Sequence, residues 1–343
     1  MNEVTTIGLD LAKNVFQIHG VDGSGDTVIR RQLRRRQIIP FFQKLTPCLI
    51  GLEACATSHH WARELQALGH EARIMPANYV KPYVKRNKND AADAEAICEA
   101  VTRPTMRFVA IKSPERQSLM MVHRTRSLLV RQHTMLVNAI RAHLAEFGIV
   151  APVGRRGVTA LLAIISDPED TRLPALARTC LESLVAALTT VEREAVSNER
   201  RIHVWHRSSE ASRRLETIPG IGPIIATALI ASVSDPSVFK SGRELAAWIG
   251  LVPRQNSTGG KERMGRISKQ GAPYLRWLLV AGAMSVIRHG RKTAFANNPW
   301  LGDLVHRKPT KVAAVALANK TARIAWAVLA TGEAYRRPAA SEA

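Results

Sequence analysis

The stretch TTIGLDLAKNVFQIHGVDG (residues 5–23) contains two apolar runs separated by a short break at 12–14, and the first run holds one acid, Asp10. Runs of this length, rich in Val, Ile and Thr, predict two β-strands joined at the break. A turn at 22–25 ends the second strand. The N-terminus is therefore predicted to begin with a strand pair.

Strands and helices continue in the next hundred residues. DTVIRRQL (26–33) predicts a third strand, CLIGLEA (48–54) a short apolar strand ending near Glu53, and EARIMP (71–76) another strand. SHHWARELQALG (58–69) predicts a helix, and Asn89 is placed to cap the helix within KRNKNDAADAEAI (85–97). This order predicts a mixed α/β sheet flanked by helices.

The chain is strongly basic, with 49 lysine and arginine residues against 28 acidic residues in 343 and a formal net charge of +21. A hydrophobic content of 46% is that of a folded protein. Such a protein usually binds nucleic acid or an anionic membrane surface. No membrane association is expected, because Lys320 and Arg323 interrupt the most apolar segment. Four scattered cysteines predict reduced thiols in the cytoplasm and no zinc site.

Four acids are candidates for a metal site. Asp10 and Glu53 fall within apolar strands, where an acid is rare unless it is paired or bound to metal. Asp90 and Asp93 lie three residues apart at the start of a helix, hence on one face. For this pair alone, favourable interaction with the helix dipole is the simpler explanation.

Four clustered carboxylates repel one another, at roughly 4 kcal/mol per pair 4 Å apart in an effective dielectric near 20. Mg²⁺ offsets this repulsion, since it prefers oxygen ligands and binds beside phosphate. Two such ions about 4 Å apart can stabilise the attacking and leaving oxygens of a phosphodiester displacement. The preceding Lys85, Arg86 and Lys88 would then hold phosphate.

The motifs GLDLAK, LEAC and KNDAADAEAI, in this order, resemble the Asp-Glu-Asp-Asp signature of one family of bacterial insertion-sequence transposases. These DEDD transposases, described as bridge-RNA-guided recombinases, have a RuvC-like, ribonuclease-H-type domain. The resemblance covers nearly the whole chain. It implies that Asp10, Glu53, Asp90 and Asp93 are catalytic ligands of Mg²⁺, with two ions expected. It also implies that an RNA from the mobile element pairs with target and donor DNA.

The middle of the chain is predicted to be helical, with an a/d pattern over about three heptads. The pattern is formed by Leu181, Leu184, Leu188, Val191, Ala195, Asn198, Ile202 and Trp205. An antiparallel hairpin within one chain and a coiled coil between chains both fit. The expected domains are a RuvC-like domain at 1–112, a helical coiled-coil connector at 113–212, a mostly α-helical domain at 213–335 and a flexible tail at 336–343.

IPGIGPIIATALI (218–230) predicts a helix–hairpin–helix, with Gly220 and Gly222 in the turn. The exposed N–H groups of such a turn and the following helix N-terminus suit a phosphate oxygen without reading sequence. A plain turn between two helices is the alternative.

RQNSTGGKERMGRISKQG (254–271) is rich in glycine and basic residues and is expected to be a loop. A serine in such a loop is usually a turn residue. The resemblance implies instead that Ser257 is the nucleophile that attacks DNA, although the adjacent Thr258 leaves a one-residue ambiguity. A serine hydroxyl needs activation, and the acidic metal site is the expected source. The cations expected to hold nucleic acid or neutralise charge there are Arg254, Lys261, Arg263, Arg266, Lys269 and Arg276.

The predicted function is therefore that of a DNA transposase, which cuts and rejoins DNA by Mg²⁺-dependent transesterification through Ser257. The expected partners are DNA, a non-coding guide RNA and further copies of the chain, as a dimer or tetramer, at the bacterial nucleoid. Two alternatives are a RuvC-type nuclease that uses water and a non-catalytic scaffold for DNA or RNA.

Overall fold

In the computed structural model, which describes residues 3–85, 89–290 and 298–336, the chain divides into two units, Met1–Ser113 and Pro114–Ala343. Each unit has its own hydrophobic core. The division falls next to the predicted boundary at 112/113, while the predicted boundary at 212/213 lies inside the second unit and stays a prediction. Most of the predicted tail at 336–343 lies outside the described residues.

The first unit is built on a five-stranded mixed sheet, as the sequence predicted. Its strands are β1 (Thr6–Leu11), β2 (Val15–Val21), β3 (Thr27–Arg34), β4 (Leu49–Glu53) and β5 (Glu71–Met75). The order across the sheet is β3-β2-β1-β4-β5. The first three strands pair antiparallel, whereas β4 is parallel to both β1 and β5.

Helices cover both faces of this sheet. They are α1 (Ile38–Phe42), α2 (Ser58–Ala67), α3 (Ala77–Val80) and α4 (Asp90–Val101). On one face, Phe16 and Ile50 are fully buried with Phe42 of α1 and Leu65 of α2. On the other face, α4 packs directly on the strands, because this face carries glycine at two adjacent positions. The sheet thus positions α4 against the C-terminal ends of β1 and β4.

The second unit begins with a helical hairpin formed by two long helices, α5 (Pro114–Glu146) and α7 (Ala175–Ser208). A shorter helix, α6 (Arg155–Ser166), lies between them in the chain. Ile140 and Leu144, late in α5, share a buried cluster with Leu181 and Leu188, early in α7. At the other end, Arg126 of α5 donates to Glu199 of α7 at 3.0 Å. The two long helices are therefore antiparallel neighbours within one chain.

This arrangement decides between the two alternatives for the a/d pattern. Leu181, Leu188, Asn198 and Ile202 are buried inside a single chain, with at most 4% of each side chain exposed. Along these four residues the structure therefore shows the antiparallel hairpin within one chain, the first of the two alternatives, because their side chains are covered by their own chain.

The rest of the second unit is mostly helical. It contains α8 (Glu210–Glu216), α9 (Pro223–Ser232), α10 (Gly242–Ile249), α11 (Pro273–Gly290), α12 (Pro299–Arg307) and α13 (Thr310–Thr331). Between α10 and α11 lies an antiparallel hairpin, β6 (Pro253–Gln255) and β7 (Met264–Ile267). The expected loop at 254–271 is thus largely a β-hairpin.

By length and composition, α13 is apolar enough to cross a membrane. In this structure its alanine-rich face, including Ala314, Ala318 and Ala322, is fully buried in the core of the second unit. In the second unit, α13 therefore packs as a core helix.

Candidate active site

The sheet places Asp10 and Glu53 side by side. Leu9 of β1 pairs with Leu52 of β4 in parallel register, and the next residue of each strand is the acid. Leu9 and Leu52 point into the core shared with α1 and α2. Because side chains alternate along a strand, both acids point to the opposite face, under α4.

Two glycines bring α4 close to the strands. A Cβ on Gly8 would lie 2.1 Å from the carbonyl oxygen of Ala94, and one on Gly51 would lie 2.8 Å from Cβ of Val101. No larger residue fits at either position while α4 stays in place. This contact fixes the distance between the N-terminus of α4 and the end of β1.

The N-terminus of α4 is capped as predicted. The side chain of Asn89 accepts a hydrogen bond from the backbone N–H of Ala92 at 2.9 Å. Asp90 and Asp93 then occupy the first turn. The helix therefore presents both acids at the end that faces Asp10.

The carboxylate cluster is formed by Asp10, Asp90 and Asp93, whose oxygens can lie within 4.8 Å of one another. The pKa of Asp10 is raised to about 6, chiefly by burial and then by the charges of Asp93, Asp90 and Glu53, in that order. Glu53 is outside the group within 4.8 Å, yet its charge acts on Asp10. A partly buried group of like charges is the donor set that a hard divalent cation fits.

One of the basic residues before α4 takes part in an ion pair with that helix. Lys85 donates to Glu95 at 2.6 Å, and Glu95 also pairs with Arg30 at 3.3 Å. The ammonium of Lys85 is thus in an exposed ion pair in this structure, and its contact with phosphate stays a prediction. Arg86 and Lys88 lie outside the described residues.

Ser257 lies in the second unit, on the hairpin between β6 and β7. It is exposed, and its Oγ accepts a hydrogen bond from Nε2 of Gln255 at 3.0 Å. Thr258 and Lys261 exchange backbone hydrogen bonds across Gly259 and Gly260, both with positive φ. The serine thus precedes a tight two-residue turn and projects into solvent.

Gln255 was not predicted from the sequence. Its position two residues before Ser257 on an extended strand, and hence on the same face, was an available signal. The amide hydrogen bond orients the hydroxyl but supplies no base.

The predicted cations fall into two groups. Lys261, Arg263 and Arg266 are exposed on the hairpin, as are Arg254 and Lys269. Arg276 differs, because its Nη1 donates to the carbonyl oxygens of Ile249 at 2.7 Å and Gln270 at 2.8 Å. In this structure Arg276 ties the hairpin base to α10, and its role toward phosphate stays a prediction.

The predicted Gly-x-Gly turn joins α8 to α9, and its two glycines differ. Gly220 has φ +87°, and a Cβ there would lie 2.8 Å from Cγ2 of Val286 and 3.1 Å from the carbonyl oxygen of Gly282 on α11. Gly222 is the N-cap of α9 and has open space around it. Gly220 therefore serves packing, and Gly222 leaves the helix N-terminus accessible.

Comparison with known proteins identifies the class of this site. A model of DEDD transposases, described as "Transposase", matches residues 7–149, and one described as "Transposase IS116/IS110/IS902 family" matches residues 212–298. The first unit is thus a DEDD transposase domain, a class of domain that indicates the use of a divalent metal.

Three relatives are similar over almost their whole length. The chain is 49% identical to a "Probable family 20 transposase" of Pseudomonas aeruginosa, over 97% of this chain and 99% of the relative. Identity is 38% to the transposase for insertion sequence element IS1328 of Yersinia enterocolitica (98% and 100%). It is 37% to the transposase for element IS1111A of Coxiella burnetii (98% and 92%). The chain belongs to the IS110 family of insertion-sequence transposases, which confirms the family that its motifs predicted.

Proposed function

We propose that this transposase cuts and rejoins DNA by transesterification, with Asp10, Glu53, Asp90 and Asp93 as ligands of two Mg²⁺ ions and Ser257 as nucleophile. The observation that carries the metal assignment is the carboxylate cluster, within 4.8 Å and with the pKa of Asp10 raised to about 6. Without a cation, so many like charges around a half-buried acid would be unfavourable.

In the proposed reaction, Oγ of Ser257 attacks a DNA phosphorus atom and the bond to the leaving DNA oxygen breaks. The hydroxyl proton passes to a base and the leaving oxygen takes up a proton, so that one DNA end becomes a serine phosphodiester. When bound, Mg²⁺ supplies Lewis-acid stabilisation of the charge that develops on the oxygens around phosphorus. Attack by another DNA hydroxyl on the serine ester rejoins the strand and frees the serine.

The base for Ser257 is proposed to come from a carboxylate site, either of the same chain or of a second copy. Within the second unit, the hydroxyl of Ser257 accepts a hydrogen bond from the side-chain amide of Gln255. An amide N–H cannot accept a proton. The exposed cations on the same hairpin, such as Lys261, Arg263 and Arg266, would stabilise the negative phosphorane.

The α8–α9 turn is proposed to act as a helix–hairpin–helix that holds a DNA phosphate. Its support is the accessible N-terminus of α9 at Gly222. Partial positive charge at a helix N-terminus favours an anion without selecting a base.

The proposed partners are element and target DNA, a guide RNA from the element and further copies of the chain, acting at the nucleoid. The net charge of +21 supports binding of two polyanions. Self-association is proposed to involve α5, where Met121, Leu128 and Met135 recur every seven residues with 65%, 44% and 64% of each exposed. Such a stripe is typical of a helix that packs on another chain.

The metal assignment can be tested with Asp93→Asn, which removes one charge with little change in shape. We expect Mg²⁺ binding, measured by calorimetry, and cleavage of element-end DNA to be lost together. Glu99→Gln, on the same helix but in a surface pair with Arg103, is the matched control and should keep both. Full cleavage by Asp93→Asn would refute the metal site.

The same cleavage products separate the two enzyme mechanisms. A RuvC-type nuclease that uses water would release free ends and leave Ser257 without a role. The distribution of functional groups favours transesterification, because Ser257 is exposed on a hairpin lined with cations rather than buried in a core.

A further inference from the structure

A row of polar side chains crosses the sheet from the carboxylate cluster to its edge. Asp10 of β1 is directly opposite Gln17 of β2, and Gln17 is directly opposite Gln32 of β3. Residues opposite each other on antiparallel strands point to the same face and lie about 5 Å apart at Cβ. The two glutamines therefore continue outward from Asp10.

This row lies on the face of the sheet that carries α4. Gly8, two residues before Asp10, abuts α4, and its partner across the sheet is His19. His19 in turn is opposite Arg30, whose guanidinium pairs with Glu95 of α4. Alternation then places Gln32 and Arg34 on the same face as Arg30.

The neighbouring residues of β3 belong to the opposite face. Leu33 is opposite Phe16 and is buried in the core with α1 and α2. Arg31 is opposite Ile18, another residue of that core, but is itself exposed at the sheet edge. Two exposed arginines three residues apart, Arg31 and Arg34, thus lie on different faces of one strand.

We infer that the strip formed by Gln17, Gln32 and Arg34 binds the phosphodiester backbone of the DNA strand that is held at the carboxylate site. The glutamine amides donate N–H groups to phosphate oxygens, and the guanidinium of Arg34 supplies a charge. Both Gln32 and Arg34 are exposed, and β3 is an edge strand of the sheet, so both side chains are open to a ligand.

The dimensions fit a short length of one strand. Neighbouring strands are about 4.8 Å apart, so Gln32 lies roughly 10 Å from Asp10. At about 3.4 Å per nucleotide, this distance spans roughly three nucleotides. The strip carries no acid of its own, so a strand that leaves the carboxylates meets neutral donors first and then a cation.

Charges on an edge strand also discourage pairing with other sheets. That role would be served equally by arginines on either face of β3. DNA binding requires the face that carries the carboxylates, so the two explanations differ in what they predict for Arg31 and Arg34.

The inference rests on the proposed function, and its test uses binding rather than cleavage. The full-length variants Arg34→Gln and Arg31→Gln lose the same charge from the same strand. Affinity for element-end DNA is measured without divalent metal, so that no strand is cut, at a series of salt concentrations.

For Arg34→Gln, the slope of log affinity against log salt should be smaller by about 0.9, the value for one lost phosphate contact. Between 50 and 200 mM salt the variant should therefore lose about 3.5-fold less affinity than the unsubstituted protein. Arg31→Gln should keep the original slope. Equal slopes for the two variants, or a change seen with an RNA duplex but not with DNA, would overturn the inference.

Photocrosslinking gives a second, independent measurement. A p-benzoylphenylalanine placed at Gln32 should crosslink element-end DNA within a few nucleotides of the cleaved phosphate, and one placed at Arg31 should not. Crosslinking only from Arg31 would refute the strip. Failure of the proposed function would appear elsewhere, as cleavage retained in Asp93→Asn.

Discussion

His123 on α5 is fully buried, and each of its ring nitrogens lies beside a hydroxyl. Nε2 is 3.0 Å from Oγ1 of Thr227, and Nδ1 is 3.1 Å from the hydroxyl of Tyr274. The Thr227 hydroxyl donates to the carbonyl oxygen of Pro223 at 2.7 Å, so it accepts from Nε2–H. Nδ1 then accepts from Tyr274, which assigns a neutral imidazole that links α5, α9 and α11.

This network predicts a pH dependence of stability. Burial, and then the charge of Arg126, lowers the pKa of His123 to about 4. Between the unfolded pKa near 6.5 and the folded pKa, the unfolded state binds more protons, so stability falls as pH falls. The loss should reach about 3 kcal/mol at pH 4, at 1.36 kcal/mol per pKa unit.

Thermal unfolding of the second unit, followed from pH 7 to pH 4, checks this prediction. His123→Gln should be less stable at pH 7 but should lose less stability on acidification than the unsubstituted protein. His143→Gln, at an exposed position on the same helix, should leave the pH dependence unchanged. Parallel pH profiles for the His123 variant and the original protein would contradict the buried neutral imidazole.

For single residues, the sequence predicted the roles that can be recognised from neighbouring residues in the chain. Asp10 and Glu53 were identifiable because acids interrupt apolar strands, and Asn89 because a capping residue precedes a helix. The carbonyl bonds of Arg276 and the ion pair of Lys85 with Glu95 were not predictable. Both depend on groups that only the fold brings together.

At the scale of elements, substitutions of the two glycines in the α8–α9 turn are expected to have different effects on stability. Gly220→Ala should destabilise the second unit by more than about 1 kcal/mol, because φ is positive and α11 blocks the Cβ. Gly222→Asp should not destabilise it, since Asp is a good N-cap and the space is open. The same aspartate should weaken DNA binding through repulsion of phosphate.

Unfolding curves and DNA titrations measure the two effects separately. Gly222→Ser is the neutral control, because it also caps α9 but adds no charge. It should bind DNA more tightly than Gly222→Asp. Equal DNA affinity of the aspartate and serine variants would remove the turn from the DNA-binding surface.

Substitutions on the buried and the exposed face of the helical hairpin are also expected to differ, the first in stability and the second in self-association. Leu188→Ala creates a cavity in the buried cluster and should lower the free energy of unfolding by about 2–5 kcal/mol. Leu128→Glu changes the exposed stripe on α5 and should instead shift the sedimentation mass toward smaller species. An unchanged mass for Leu128→Glu in a folded protein would contradict self-association through α5.

Several elements could be predicted from periodicity, and others could not. The mixed sheet followed from the order of strands and helices. The β6–β7 hairpin was expected as a loop, although the pair Gly259–Gly260 is a signal for a two-residue turn. The a/d pattern predicted the helices but not their partner, because the same stripe suits an intrachain or an interchain neighbour.

At the scale of the whole molecule, the proposed reaction uses groups from both units. The first unit supplies carboxylates, and the second supplies a serine on a cationic hairpin. The net charge of +21 is unchanged by the ion pairs within each unit, since each pair joins one positive and one negative group, and it suits a protein that holds polyanions. We propose that the carboxylates and the serine act on one phosphodiester.

The most direct test is a search for a covalent bond between Ser257 and DNA. The protein is incubated with element-end DNA, Mg²⁺ and the element RNA, denatured, digested and examined by mass spectrometry. We predict a nucleotide on the peptide that contains Ser257, absent in Ser257→Ala and in Asp93→Asn but present in Thr258→Ala. Cleavage of DNA to free ends by the unsubstituted protein, or an adduct that persists in Ser257→Ala, would contradict the claim.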